Sequence, residues 1–202
     1  MILTRFESTS DGRATQAVEE AFARLASAAD EFEAYAHPHA LRLASLTDEI
    51  ARSFDLASED ISSLRIAALA HDLGELAMKR SYIKRADALT EAERIDLARH
   101  PVIGEQEAAR AGADRAAQLL VRWHHEWWNG TGYPDALRGE QNPLMARILH
   151  AADAYVALTA ERPFRPARSE EETRQHLVEY SGIEFDPRVV RALLALPCRH
   201  RL

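Results

Sequence analysis

Apolar positions recur at helical spacing along most of this chain. Val18, Phe22 and Leu25 share one face of a segment from Ala14 to Ala29, and Leu41, Ile50 and Phe54 share one face of a segment from about Pro38 to Phe54. Ser58 is placed to cap a third helix, whose apolar run of Ile61, Leu64, Ala67, Ala68 and Leu69 ends at His71-Asp72, with Gly74 as its stop. Thr90-Glu91-Ala92-Glu93 reads as a capping box that opens a helix reaching His100. Pro101 begins the next helix and Gly112 ends it, after which Ala113 to Trp128 is helical and leads into a loop over Asn129 to Asn142. Pro143 suits the first position of a helix running to about Glu161. Ser169-Glu170-Glu171-Glu172 is a second capping box, for a helix closed by Gly182, and Asp186-Pro187 opens a last helix that Pro197 ends. Strand-like alternation of β-branched residues is absent, so the expected fold class is all-α.

The bulk numbers narrow this picture. A chain of 202 residues with 47% apolar content suits one domain with a real core, burying roughly 70% of its unfolded surface. There is no run of about 18 apolar residues, so no membrane span is expected. The stretch Met1 to Ser10 carries Arg5 and Glu7 and makes a poor signal peptide. Cys198 is the only cysteine, which excludes a disulfide framework and fits a reducing cytoplasm. A net charge of −7 argues against a partner that is a nucleic-acid polymer. It leaves room for a small anionic ligand held by a few local arginines.

The chemistry concentrates in histidines and acids. Of nine histidines, His39, His71, His100, His124 and His125 fall on or at the ends of the expected helices, and Asp72 and Asp153 add carboxylates. Imidazole and carboxylate are the usual ligands of Fe, Mn, Zn and similar ions. In a His-Asp pair at a helix end, consecutive side chains diverge by about 100°. The imidazole can then bind one ion terminally while the carboxylate bridges two. Asp153 stands in the apolar run Ile148 to Ala154, where a buried carboxylate needs a cation or hydrogen-bond donors. His37, His150, His176 and His200 stand alone and are assigned no role.

Together these residues resemble a known family. The matching segments are His39 to Leu43, Ala67 to Gly74, Leu89-Thr90, His100 to Gly104, His124-His125-Glu126 through Gly132-Tyr133-Pro134, Ala146 to Ile148, Ala152 to Tyr155, Ala157 to Thr159, Arg162 to Arg165 and Phe185 to Pro187. In that order and spacing the chain resembles an HD-GYP domain, the bacterial branch of the HD phosphohydrolase superfamily that hydrolyses cyclic di-GMP. The resemblance implies a single-domain HD-type helical bundle over residues 34–202, with the metal site between central helices; residues 1–33 read as an N-terminal helical extension or simply a first helix. It implies a cofactor of two transition-metal ions, iron or manganese ahead of zinc or nickel. By position, His39, His71, Asp72, His100, His124, His125 and Asp153 match the ligands, with Asp72 as the bridge and Asp72 and His71 at the catalytic centre. A metal-bridging hydroxide would cut cyclic di-GMP to pGpG, GMP or both. Arg162 and Arg165 match residues that hold substrate phosphates, and Tyr133 and Gly132 match the loop beside the ligand, with Gly130 helping that loop turn.

Three positions depart from the family pattern. Glu75 stands where a lysine is usual, and it either repels phosphate or adds a metal ligand. Tyr35 stands where three-metal members carry a glutamate, which favours two ions over three unless Glu75 supplies the missing ligand. Val156 replaces an aspartate. Arg85 to Leu89 replaces a Lys-Pro-Gly segment. There Lys79, Arg80, Lys84 and Arg85 either restore positive charge or form a solvated loop. The expectation is therefore an enzyme, a phosphodiesterase whose activity Glu75 and Val156 reduce. Two other readings stay open. One is a weakly active or inactive module that senses a cyclic dinucleotide or docks a diguanylate cyclase-type or other signalling protein. The other is an HD phosphohydrolase for another phosphoester.

Overall fold

The computed structural model describes residues 9–85, 87–162 and 165–197. Met1–Ser8, Ala86, the Pro163-Phe164 pair, Cys198 and His200 lie outside them. The helices are α1 (Thr9–Phe32), α2 (His39–Ser53), α3 (Ser58–Ala70), α4 (Leu73–Met78), α5 (Glu91–Leu97), α6 (His100–Arg110), α7 (Arg115–Trp123), α8 (Leu144–Thr159), α9 (Glu170–Glu179) and α10 (Pro187–Ala195). Short 3-10 turns occupy Ser81–Lys84 and Gly139–Gln141. The described residues contain only isolated bridges, Arg162 with Arg165 and Ser181 with Phe185, and no strand. The fold is all-α, as the periodicity predicts. None of the described helices is long and apolar enough to cross a membrane.

α8 is the central element. Ile148, Leu149, Ala151, Ala152, Tyr155 and Val156 are all buried on it, and a helix apolar on most of its surface belongs inside a bundle. It packs on α2, α3, α7, α9 and α10, while α2 lies along α3 and α6 sits between α4 and α7. α1 packs on α2, α3 and α4 and gives Phe22 and Ala26 to the same core as Leu43, Ile50, Leu64 and Leu120.

Local chemistry sets many of the helix ends. The capping boxes of Thr90 with Glu93 and Ser169 with Glu172 both form. Asp186 accepts from the Arg188 amide at 2.7 Å ahead of Pro187. Elsewhere the structure corrects the expected boundaries. Ser58 is the first helical residue of α3 and its side chain makes no cap; Glu59 and Asp60 in the first turn complement the helix dipole there. Gly74 does not stop α3. It lies inside the short helix α4, and a Cβ there would sit 2.0 Å from the His100 carbonyl oxygen and 2.9 Å from the Gly104 amide nitrogen. Glycine is needed because α4 and α6 touch backbone to backbone. α7 ends at Trp123 rather than Trp128, because the Trp128 and Asn129 amides turn away to the carbonyls of Glu184 and Ile183, both at 2.9 Å. Pro143 precedes α8 as its N-cap instead of opening it.

Candidate metal centre

Three histidines are aimed by the same device. His71 follows α3, His100 opens α6 just beyond α5, and His124 follows α7. Each Nδ1 donates to the carbonyl three residues back: His71 to Ala68 at 2.9 Å, His100 to Leu97 at 2.8 Å and His124 to Val121 at 2.6 Å. Those carbonyls belong to the last turns of α3, α5 and α7, where no helical amide reaches them. With Nδ1 carrying the proton, a neutral ring presents its Nε2 lone pair inward. The negative ends of three helices also meet here, which favours positive charge between them.

The inward atoms form two groups. His100, His124 and His125 offer donor atoms all within 4.8 Å of one another, and so do His39, His71 and Asp153. His39 comes from the start of α2 and Asp153 from α8. His39 Nε2 lies 3.1 Å and His71 Nε2 3.7 Å from Asp153 Oδ1. Asp72 stands between the groups and turns one oxygen to each: Oδ2 is 2.7 Å from His71 Nε2, and Oδ1 is 4.0 Å from His100 Nε2. His100 Nε2 and His124 Nε2 are only 3.2 Å apart. With both Nδ1 atoms donating to carbonyls, these are two lone pairs facing each other. That arrangement repels unless a cation lies among the rings. The donor set and its geometry therefore fit divalent transition-metal ions.

Electrostatics divides the two groups. Burial, followed by the neighbouring His100 and His71, pulls His124 down to about 3, and His100 and His125 are lowered too. These rings keep their lone pairs at neutral pH. Burial also lowers His71, but the Asp72 carboxylate outweighs it and, with Asp153, raises His71 to about 10. Asp72 and Asp153 resist the upward push of burial because imidazoles face them, and both lie below the usual carboxylate range.

Further acids stand beside Asp72. Glu75 is buried, and burial followed by the Asp72 charge pushes it up to about 8. One of its oxygens falls within 4.8 Å of donor atoms from Asp72 and His100. Glu33 went unnoticed in the sequence. It is 3% exposed, and burial, then Asp72 and Glu75, raise it well above the ordinary range. No sequence signal marks it, and the chain turns just after it, where Ala34 adopts a left-handed φ of +62°. Arg162 donates to Glu33 Oε2 at 2.8 Å and to the Glu33 carbonyl at 3.2 Å.

The remaining candidates take separate places. Tyr133 lies against the second group, its ring 5.0 Å from His125 and 6.4 Å from His100. Gly132 lets the loop approach: a Cβ there would fall 2.2 Å from the Trp127 amide nitrogen and 2.4 Å from the His125 carbonyl oxygen. The buried Glu126 carboxylate pins the loop by accepting from the amides of Asp135 at 2.6 Å and Leu137 at 2.9 Å. Arg165 donates to the Ala157 carbonyl at 2.5 Å, so the structure engages it with the main chain of α8. Val156 is buried in the core and offers no donor. Arg80 pairs with Asp96 and Arg85 with Glu93, while Lys84 lies over the Phe32 ring. His150 holds the second group from behind, its Nδ1 donating to the His124 carbonyl at 2.7 Å.

Known proteins resemble this chain in sequence and fold. The family model described as HD domain matches residues 12–189. The cyclic di-GMP phosphodiesterase response regulator RpfG of Xanthomonas campestris is 35% identical over 87% of this chain and 47% of its own length. A cyclic di-GMP phosphodiesterase of Vibrio cholerae is 39% identical over 67% of this chain and 29% of its own. The 3'3'-cGAMP-specific phosphodiesterase 3 of the same organism is 34% identical over 79% and 35%. The chain thus spans about half the length, or less, of these relatives. Among solved structures, a cyclic GMP-AMP specific phosphodiesterase of V. cholerae superposes with TM-score 0.69 at 22% identity, covering 88% of this chain and 48% of that one. An HDG"Y"P protein from Bdellovibrio bacteriovorus superposes with TM-score 0.63 at 20% identity, covering 77% and 50%. The fold is the same, and the chain belongs to the HD domain family, in its HD-GYP branch.

Proposed function

We propose that this chain is a metal-dependent phosphodiesterase that hydrolyses cyclic di-GMP to pGpG, GMP or both. The observation that carries this reading is Asp72, with one oxygen turned to each of two histidine groups. His39, His71 and Asp153 would hold one ion, His100, His124 and His125 the other, and Asp72 both, with iron or manganese as the metal. The bound ions would supply an acidified water and neutralise phosphodiester oxygens. Glu75 lies close enough to Asp72 and His100 to add a carboxylate to the second group.

The chain's own residues do the rest. Asp72 and His71 stand at the centre of the reaction. The planar fork of Arg162 suits two non-bridging phosphate oxygens. Tyr133 and the Gly132 backbone wall the side next to His125. Each cut consumes one water: a P–O bond forms to the water oxygen, the bond from phosphorus to the 3' oxygen breaks, and a proton ends on that 3' oxygen. The relatives named for cyclic di-GMP and for 3'3'-cGAMP make these two dinucleotides the substrates to compare. Protein loaded with Fe(II) or Mn(II) is expected to release pGpG or GMP from cyclic di-GMP, read by chromatography. Occupied metals without turnover would defeat the reading and favour a sensing or docking module, as would a buried Glu75 that only repels phosphate. Much faster hydrolysis of another phosphoester would replace the substrate.

A further inference from the structure

The link between α1 and α2 carries a clamp. Arg162 reaches across to Glu33, meeting its carboxylate at 2.8 Å and its main-chain carbonyl at 3.2 Å. The guanidinium lies 4.1 Å over the centre of the Tyr35 ring. Tyr35 in turn stacks on His39, with ring centroids 4.3 Å apart and planes 9° from parallel. His39 faces Asp153 at 3.1 Å. One continuous stack thus joins Arg162 to the His39 side of the metal centre. Two flat groups held face to face have little freedom to tilt, and a cation over an aromatic face is held electrostatically as well. At the same time the fork that suits a phosphate already holds an acid.

We propose that Glu33 and Tyr35 set how strongly this site binds a phosphodiester. Tyr35 is a positioning residue that fixes the plane of Arg162. Glu33 is an internal competitor whose carboxylate occupies the place on Arg162 that a substrate oxygen must take. An incoming phosphate exchanges with Glu33 instead of meeting an uncompensated cation. Asp72 and Glu75 also stand near the Glu33 carboxyl, and Arg162 is the cation that offsets these acids. The acid is therefore ready to reclaim Arg162 when the product leaves. The claim rests on Arg162 as the phosphate-binding side chain of the proposed function.

Calorimetric titration of metal-loaded protein with cyclic di-GMP, and separately with inorganic phosphate, tests it without turnover. Glu33→Gln keeps the shape and the main-chain contact and replaces the acid oxygen that pairs with Arg162 by a neutral amide. Because burial, Asp72 and Glu75 push Glu33 up against the pull of Arg162, the titrations are run at alkaline as well as neutral pH. Both ligands should bind roughly tenfold tighter, the size of one charge-assisted hydrogen bond. Tyr35→Leu should weaken both by a similar factor, and Tyr35→Phe, which keeps the ring face, should recover the binding. In an Arg162→Gln background, Glu33→Gln should no longer change affinity, because the coupling has lost its partner. If Glu33→Gln does not fold, Glu33→Asp shortens the acid and should shift affinity in the same direction by less. Unchanged or weaker binding in the Glu33 variants, an equal gain without Arg162, or binding of neither ligand by any form would overturn the proposal. Tighter binding by Glu33→Gln together with no cyclic dinucleotide turnover would sink the proposed function and leave this inference standing.

Discussion

A carboxylate shared between two groups of imidazoles is worth more than its own bonds. Replacing Asp72 with Ala should empty both groups, because each loses an oxygen turned toward it. Elemental analysis that finds only half the metal lost would contradict a bridge. The two groups should also differ in how they respond to pH. Metal-free His71 is raised to about 10, so at neutral pH an ion must displace its proton, and affinity on that side should rise with pH by up to roughly tenfold per unit. His124 lies near 3 and has no proton to give up, so on its side only Glu75, pushed up to about 8, would release one. In a Glu75→Gln variant, affinity there should stay nearly flat between pH 6 and 8. Competition of that variant with a chelating dye across that range would show one sloped and one level phase; equal slopes would contradict the division. At this scale the sequence was readable where chemistry was unusual. His71-Asp72 and His124-His125 stood out because imidazoles and acids at the ends of apolar helices demand a reason. Glu33 did not, since the turn beside it runs through a left-handed Ala34 that no alanine announces.

Helices were legible where their ends were written locally. Thr90, Ser169 and Asp186 each satisfied amides within a few residues, so reading them required no tertiary knowledge. α4 is only Leu73–Met78, too short to show a period. Gly74 was read as a stop because its true constraint comes from another helix. Gly74→Ala tests that constraint: the new methyl would strike the His100 carbonyl and force α6 away from α4. Overpacking of this kind costs about 1–3 kcal/mol. Calorimetry should show a fall of ~2–4 °C in Tm for each kcal/mol, and elemental analysis should show loss from the His100 side. An unchanged Tm would mean that the two helices can part freely.

Across the whole molecule, residues as distant in sequence as His39 and Asp153 meet in the core between α2 and α8. Periodicity could not bring them together; only the family resemblance anticipated it, and the fold bears out that resemblance. Stripping metal should therefore loosen more than the site. It would leave the facing lone pairs of His100 and His124, 3.2 Å apart, inside the bundle. Scanning calorimetry with and without a chelator should find a lower Tm for the stripped protein, because bound ions stabilise only the folded form. A Tm indifferent to chelation would contradict an ion at that position.

The tether from each of His71, His100 and His124 to a carbonyl in the preceding helical turn has a consequence for how this protein could change. Each ring's outward or inward orientation is written within four consecutive residues and travels with its helix. Sliding or rotating one helix against another would alter the spacing between the rings while leaving every ring's own heading intact. Descendants of this chain, natural or engineered, could thus be retuned to ions of different radius by repacking alone, with the histidines untouched.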